Sequence, residues 1–247
     1  MISQTEHYED CTVVLITDTG ISHKTENAQN QDSVGFIVID DDYVIGVSDG
    51  VGSCKMAEVG STAAVAAVKN VFSAIKANNW EIEVTEIANQ IVLKWKELLQ
   101  NNNPDDCCAT LKAAMKFGNR MMLFSIGDGL LSVSSDELQI IAPQESCFFA
   151  NQTMCLHSAV MGSDFWTSVF SLDLSIPYVV FACTDGVSNG IQEGREMDLV
   201  RNIETEIPGD QLRKELENLV EELSDYSSDD KTVGVVKYER TNAESDR

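Results

Sequence analysis

Short apolar runs, stopped by Asp, Gly or Asn, occupy much of this chain, and three longer stretches carry apolar residues at helical spacing instead. The short runs are rich in β-branched residues and predict strands over 11–17, 34–39, 43–48, 109–116, 120–126, 130–134, 178–184 and 232–238. Val65, Val68, Phe72 and Ile75 recur at three and four residues and predict a helix over 61–77. Val84, Ile87, Ile91, Trp95 and Leu98 predict another over 84–100, and Leu212, Leu216, Leu219 and Leu223 a third over 209–224. Trp95 and the leucines therefore read as core rather than as cofactor contacts. Helices set between groups of strands, without regular β-α-β alternation, imply an α+β fold with mostly antiparallel strands. No repeat and no Pro-, Gly- or Ser-rich linker divides the chain, so residues 1–247 read as one domain. Asp40-Asp41-Asp42 falls between two strands and reads as a solvated hairpin turn.

Charge changes this picture more than composition does. The chain carries 17 basic and 40 acidic residues, a formal net charge of −23. Such a surface repels nucleic acid and anionic lipid and offers no basic stripe to neutralise phosphates. No apolar stretch reaches the roughly 18 residues of a membrane span, and the N-terminal segment lacks a basic region followed by an apolar one. A cytoplasmic location is the expectation. The 7 Cys fall at irregular positions with no Cys-x-x-Cys pair, and they read as reduced, mostly buried thiols.

Several of the apolar runs end in an acidic residue. Val44 to Val47 leads into Ser48-Asp49-Gly50, Phe124 to Ile126 into Gly127-Asp128-Gly129, and Val179 to Cys183 into Thr184-Asp185-Gly186. Ser227-Ser228-Asp229-Asp230 stands just before the last strand. Carboxylates delivered to strand ends suit a hard cation, because Mg²⁺ and Mn²⁺ take oxygen ligands and keep several waters. Glycine after Asp lets the backbone turn sharply and bring its own carbonyl near an ion. Taken singly, Asp-Gly is equally a tight-turn dipeptide. Asp32 could likewise cap a local turn, and Asp229 and Asp230 could start the last strand.

The order of these motifs resembles the metal-dependent protein phosphatase 2C family, and most closely its bacterial branch with a Ser-His and Gln-Asp signature. The resemblance runs from about Thr12 to Tyr238, leaving short polar tails at both ends. It rests on Gly20-Ile21-Ser22-His23, Asn30-Gln31-Asp32-Ser33, Ser48-Asp49-Gly50-Val51-Gly52-Ser53 with Glu58-Val59-Gly60-Ser61, Ala109-Thr110-Leu111, Gly127-Asp128-Gly129, Thr184-Asp185-Gly186 and Asp229-Asp230-Lys231-Thr232. It implies a central antiparallel β-sandwich flanked by helices on both sides, with a metal site at one edge. The implied activity is Mg²⁺- or Mn²⁺-dependent hydrolysis of phosphoserine and phosphothreonine in proteins, by a metal-activated water and opposite a cognate kinase. The implied roles put Asp49 between two ions with the Gly50 carbonyl beside it. The Gly50 carbonyl is implied as a further ligand of one ion, Asp185 and Asp229 complete the other, Asp32 lies in or just outside the ligand shell, and Asp128 with Asp185 matches a weaker third position. Asp230 is assigned to the loop rather than to metal.

Departures from the family pattern bear on function. Gln31 stands where many members have Glu, Asn27 where many have a phosphate-gripping Arg, and Val51 where some have His. Phosphate capture then falls to the metals and to His23, Lys24 and Lys55. His23 has two readings, a phosphate ligand or general acid with a pKa near neutrality, and a structural imbedded imidazole at the Ser22 turn. These gaps also motivate a catalytically weak or inactive regulatory binding module, or a phosphatase dedicated to one partner-switching regulator. No phosphate-binding Gly-x-x-x-x-Gly-Lys loop, no His-x-x-x-His pair and no Gly-x-Ser-x-Gly elbow around Ser53 is present. The weakly periodic segment 143–170, with Phe148, Phe149 and Trp166 read as exposed, is expected to form a substrate-selecting flap.

Overall fold

The computed structural model describes residues 1–78, 82–143 and 154–239. The chain opens with strands β1 (Ile2–His7) and β2 (Cys11–Asp18), a short helix α1 (Ile21–Glu26), and the hairpin β3 (Asp32–Ile39) and β4 (Asp42–Asp49). Helices α2 (Ala57–Asn78) and α3 (Val84–Leu98) follow. Next come β5 (Leu111–Phe117), β6 (Arg120–Ile126), β7 (Leu130–Ser135), β8 (Leu138–Ile141), β9 (Trp166–Ser171) and β10 (Tyr178–Cys183). Helices α4 (Asp185–Ser188), α5 (Glu196–Thr205) and α6 (Leu212–Leu223) then lead to the last strand, β11 (Lys231–Tyr238).

The strands form two sheets, in the orders β1-β2-β11-β10-β7-β8 and β3-β4-β5-β6-β9, with every pairing between these strands antiparallel. Their inner faces meet over a core that includes Leu15, Ile45, Val47, Leu123, Val133, Val180 and Val236. Outside the five-stranded sheet, α2 and α3 bury Phe72, Ile91 and Trp95. Outside the other sheet, α5 and α6 bury Val200, Ile203, Leu216 and Val220 against Val14, Phe181 and Val235. Strands β2, β4, β10 and β11 are apolar on both faces because each is covered by a sheet on one side and helices on the other. Each such buried aliphatic side chain contributes about 1.5–3 kcal/mol. The architecture is the expected helix-flanked antiparallel sandwich.

Several expectations need correction. Ile2–His7 is a paired edge strand rather than a tail. Its polar alternation hid it, since an edge strand buries little. Trp166 is half buried, packed on the inter-sheet core, and opens β9, which pairs with β6. The residues 166–170 therefore belong to the sandwich and not to a flap, while Phe148 and Phe149 lie outside the described residues. Asp42 is more than a solvated turn residue. It accepts from Lys76 Nζ at 2.7 Å and from the Gly118 N–H at 2.6 Å, clamping the β3–β4 hairpin to α2 and to the β5–β6 turn. No disulfide joins the described cysteines, of which Cys107 and Cys183 are buried and Cys11, Cys54, Cys108 and Cys155 half buried. Cys147 lies outside the described residues.

Candidate metal centre

Four strands end at one pole of the sandwich and bring their carboxylates together there. Asp49 closes β4 and sits directly opposite Asp32, the first residue of β3. Asp185 starts α4 just beyond β10, and Asp128 lies in the turn between β6 and β7. Gly127 and Gly129, with φ of 87° and 91°, flank Asp128 in the left-handed region that glycine tolerates. Carboxylate oxygens of Asp49, Asp128 and Asp185 all lie within 4.8 Å of one another. The charge of Asp32 acts on Asp49 across the β3–β4 pair. Asp229 is exposed on the neighbouring loop, and its charge acts on Asp185.

Such an arrangement is electrostatically costly without a counter-ion. Like charges directly opposite across a strand pair repel, and burial removes the water that would screen them. Burial, reinforced by Asp32 and Asp185, pushes the Asp49 carboxyl well above the usual carboxylate range. Burial likewise raises Asp32 to about 7, against the hydroxyl of Thr184, which donates to its Oδ2 at 2.8 Å. Asp185 rises to about 6 through burial and then through Asp128 and Asp229. An all-oxygen cluster that resists ionisation when empty of cations is the donor chemistry a hard divalent ion fits. The residues present therefore suit Mg²⁺ or Mn²⁺.

Neighbouring groups hold the cluster in place. Thr110 Oγ1 accepts from the Asp49 N–H at 3.0 Å, and Ser48 Oγ donates to Thr110 O at 2.6 Å, fixing the end of β4. The ammonium of Lys112, 1% exposed, donates to Ser125 Oγ at 2.7 Å and to Gly127 O at 2.6 Å, which supports the Asp128 turn from below. Lys231, also 1% exposed, donates to Ser227 O at 2.8 Å and Asp229 O at 2.9 Å, and burial lowers its pKa. Neither lysine stood out in the sequence, because each lies in a strand whose register alone decides which way it points. Gly50 packs so tightly against the carbonyls of Ala57 and Gln31 that no Cβ would fit. Its own N–H donates to Gln31 O at 3.1 Å.

Asp230 is the organiser of the adjoining loops. It is 2% exposed and accepts from the Gly20 N–H at 2.7 Å, the Gln31 N–H at 2.6 Å and His23 Nδ1 at 2.9 Å. One buried carboxylate thus ties α1, the approach to β3 and the start of β11 together. His23, at 17% side-chain exposure, is oriented by that contact. The two nearby lysines are otherwise engaged. Lys24 pairs with Asp18 at 3.0 Å, and Lys55 pairs with Asp106 at 3.2 Å.

The sequence model of the protein phosphatase 2C family matches residues 19–223, and the chain belongs to that family. Solved structures agree on the fold. RsbX in complex with magnesium superposes with a TM-score of 0.64 at 16% identity, covering 96% of this chain and 100% of that one. A bacterial serine phosphatase gives 0.67 at 17% identity, with 94% and 99% covered. The catalytic domain of the serine threonine protein phosphatase PstP, in complex with 2 manganese ions, gives 0.63 at 16%, with 93% and 98% covered. A search of curated proteins finds no sequence match. No helix among the described residues is long and apolar enough to cross a membrane.

Proposed function

We propose that this protein is a Mg²⁺- or Mn²⁺-dependent phosphatase of phosphoserine and phosphothreonine in proteins. One observation carries the reading: three strand-end carboxylates, Asp49, Asp128 and Asp185, converge within 4.8 Å at the pole of a protein phosphatase 2C sandwich. Asp49, the Gly50 carbonyl, Asp185 and Asp229 would hold the ions, with Asp32 beside Asp49. Asp128 with Asp185 offers a further, weaker position. Bound there, the ions would supply Lewis acidity toward the phosphoryl oxygens and a water acidified for attack on phosphorus, without a covalent phosphoenzyme.

The chain's own residues have separable tasks. Thr184 and Thr110 hold Asp32 and the backbone of Asp49. Asp230 fixes His23 through Nδ1, so that Nε2 is the nitrogen left to meet a substrate oxygen or pass it a proton. Lys24 and Lys55 reach a phosphate only by leaving Asp18 and Asp106. These pairings, with Gln31 and Asn27 in place of charged residues, favour a second reading in which the site is weak on generic esters. It would then serve a single phosphoprotein partner or act as a regulatory binding module. The net charge of −23 supports protein rather than nucleic-acid or membrane partners, and a cytoplasmic setting with a cognate kinase completes the proposal.

The test is hydrolysis of para-nitrophenyl phosphate and of a phosphothreonine peptide with EDTA, Mg²⁺ or Mn²⁺, beside an Asp49→Asn control. Metal-dependent turnover lost in the variant is the expected result. Silence on both substrates, with Mn²⁺ binding still measurable by calorimetry, would move the assignment to the dedicated or regulatory reading. Equal turnover in EDTA would sink the metal mechanism.

A further inference from the structure

At the opposite pole, the strand ends enclose a cavity of about 310 Å³, at the small end of the roughly 300–1,000 Å³ range of ligand pockets. Tyr43 and Asp49 lie six residues apart on β4, so the cavity stands about 20 Å from the carboxylate cluster at ~3.3 Å per residue. Its walls are Tyr8, Tyr43, Tyr178 and Tyr238, the last two stacked with centroids 4.8 Å apart.

The floor offers hydrogen-bond donors. Tyr43 and Tyr178 are 3% and 1% exposed, and Tyr43 Oη donates to Tyr178 Oη at 3.3 Å. Two hydroxyls sharing one hydrogen bond leave one proton over, and that of Tyr178 has no acceptor among the described residues. Lys116, 6% exposed, donates to Asp41 O at 2.8 Å, stands 3.9 Å from Asp42 Oδ1, beyond hydrogen-bond reach, and 6.0 Å from the Tyr43 ring centroid. An ammonium has three donors, so Lys116 retains capacity for a guest. An unspent buried donor is costly, and the floor therefore suits an acceptor oxygen.

The mouth has the opposite sign. Glu9, Asp10, Asp40 and Asp41 also line the cavity, Asp40 paired with Lys76 at 3.2 Å, so acidic residues outnumber the one lining ammonium, and the faces of tyrosine rings attract cations. A bare organic cation would meet Lys116 at the floor, and a bare anion would meet the acidic mouth. We infer that this cavity binds a small zwitterion of amino-acid size, its carboxylate on Tyr178 and Lys116 and its ammonium or guanidinium between the tyrosine rings and the acidic mouth. The site is separate from the metal centre and does not rest on the phosphatase reading.

The test titrates the whole chain with L-arginine and L-lysine, with agmatine, which lacks the carboxylate, and with hexanoate, which lacks the cation. Ligand-observed NMR should show saturable millimolar or tighter binding of at least one amino acid, with agmatine and hexanoate about tenfold weaker or worse. Tyr178→Phe keeps the ring and removes the donor, and it should weaken the bound amino acid about tenfold, as should Lys116→Met. Cys11 also lines the cavity, so its alkylation by iodoacetamide, followed by peptide mass spectrometry, should slow in wild-type protein holding the amino acid. That reading needs no variant to fold. Absence of saturable binding and of Cys11 protection, agmatine or hexanoate binding as tightly as the amino acid, or indifference to both substitutions would each overturn the assignment.

Discussion

The metal-free protein should lose stability as pH rises from about 4 to about 7, and Asp49→Asn should blunt that loss while abolishing the response to metal. The folded carboxyls of Asp32 and Asp185 sit at about 7 and about 6, raised from 3.8. A group whose folded pKa is raised contributes stability that is fully present below its unfolded value and is lost as pH climbs through the folded one. The window is therefore about pH 4 to 7. Each unit corresponds to about 1.4 kcal/mol, so shifts of two to three units give roughly 3 and 4 kcal/mol as separate upper bounds. Because Asp32 shares its environment with Asp49, the combined loss is smaller than their sum. Urea unfolding of EDTA-treated protein at about pH 5 and about pH 8 should show a fall of a few kcal/mol. Saturating Mg²⁺ should restore about 2.7 kcal/mol at a hundredfold excess over its Kd, with the larger effect at high pH because the ligands must be ionised. Asp49→Asn removes one member of the repelling set, so its metal-free form should be more stable than wild type at high pH. Metal-free stability that is flat or rises over this range, or a variant that gains as much from Mg²⁺ as wild type, would refute the reasoning.

Other outcomes follow from individual contacts. Asp185→Asn should cut metal-dependent hydrolysis by more than the roughly 10- to 100-fold that loss of an outer-shell partner costs, with unfolding cooperativity preserved; kinetics beside circular dichroism would check this. Asp230→Ala strips one buried and two half-buried donors of their acceptor and should destabilise by about 1–3 kcal/mol, measured by thermal unfolding, with activity falling because α1 and the β11 loop part. Gly50→Ala would force Cβ into the carbonyl of Ala57 and should weaken Mn²⁺ binding in calorimetry even where the fold survives. Trp95→Ala empties the core between α2 and α3 and removes the Nε1 bond to Gly60 O at 3.1 Å, and it should cost about 3–5 kcal/mol in thermal unfolding.

Much of the fold was legible because the central strands are apolar on both faces. The run 120–126 matches its observed strand in full, and the other predicted strands agree to within two residues at their ends. The helix α3 started where Val84 placed it, and its stripe of Ile87, Ile91 and Trp95 is buried as the period required. Elements without such a stripe were missed. Strand β1 alternates polar residues at a sheet edge, β8 has four residues, and α5 buries little beyond Val200 and Ile203. Among the site residues, the strand-end Asp-Gly pairs announced Asp49, Asp128 and Asp185, whereas no local pattern marked Lys112 and Lys231 as buried.

Taken alone, the sequence determined which segments become strands and helices, and which of them end in a carboxylate, because period and turn chemistry act between near neighbours in the chain. Only the tertiary structure decided that Asp32 faces Asp49, that Asp128 and Asp185 converge on Asp49, and that Asp230 gathers Gly20, His23 and Gln31. It also decided that Tyr8, Tyr43, Tyr178 and Tyr238, spread over 231 positions, close one cavity. Strand order and register set these meetings, and both depend on how two sheets and two helical layers pack at once. That long-range free-energy minimum leaves no periodic mark on the residues it brings together.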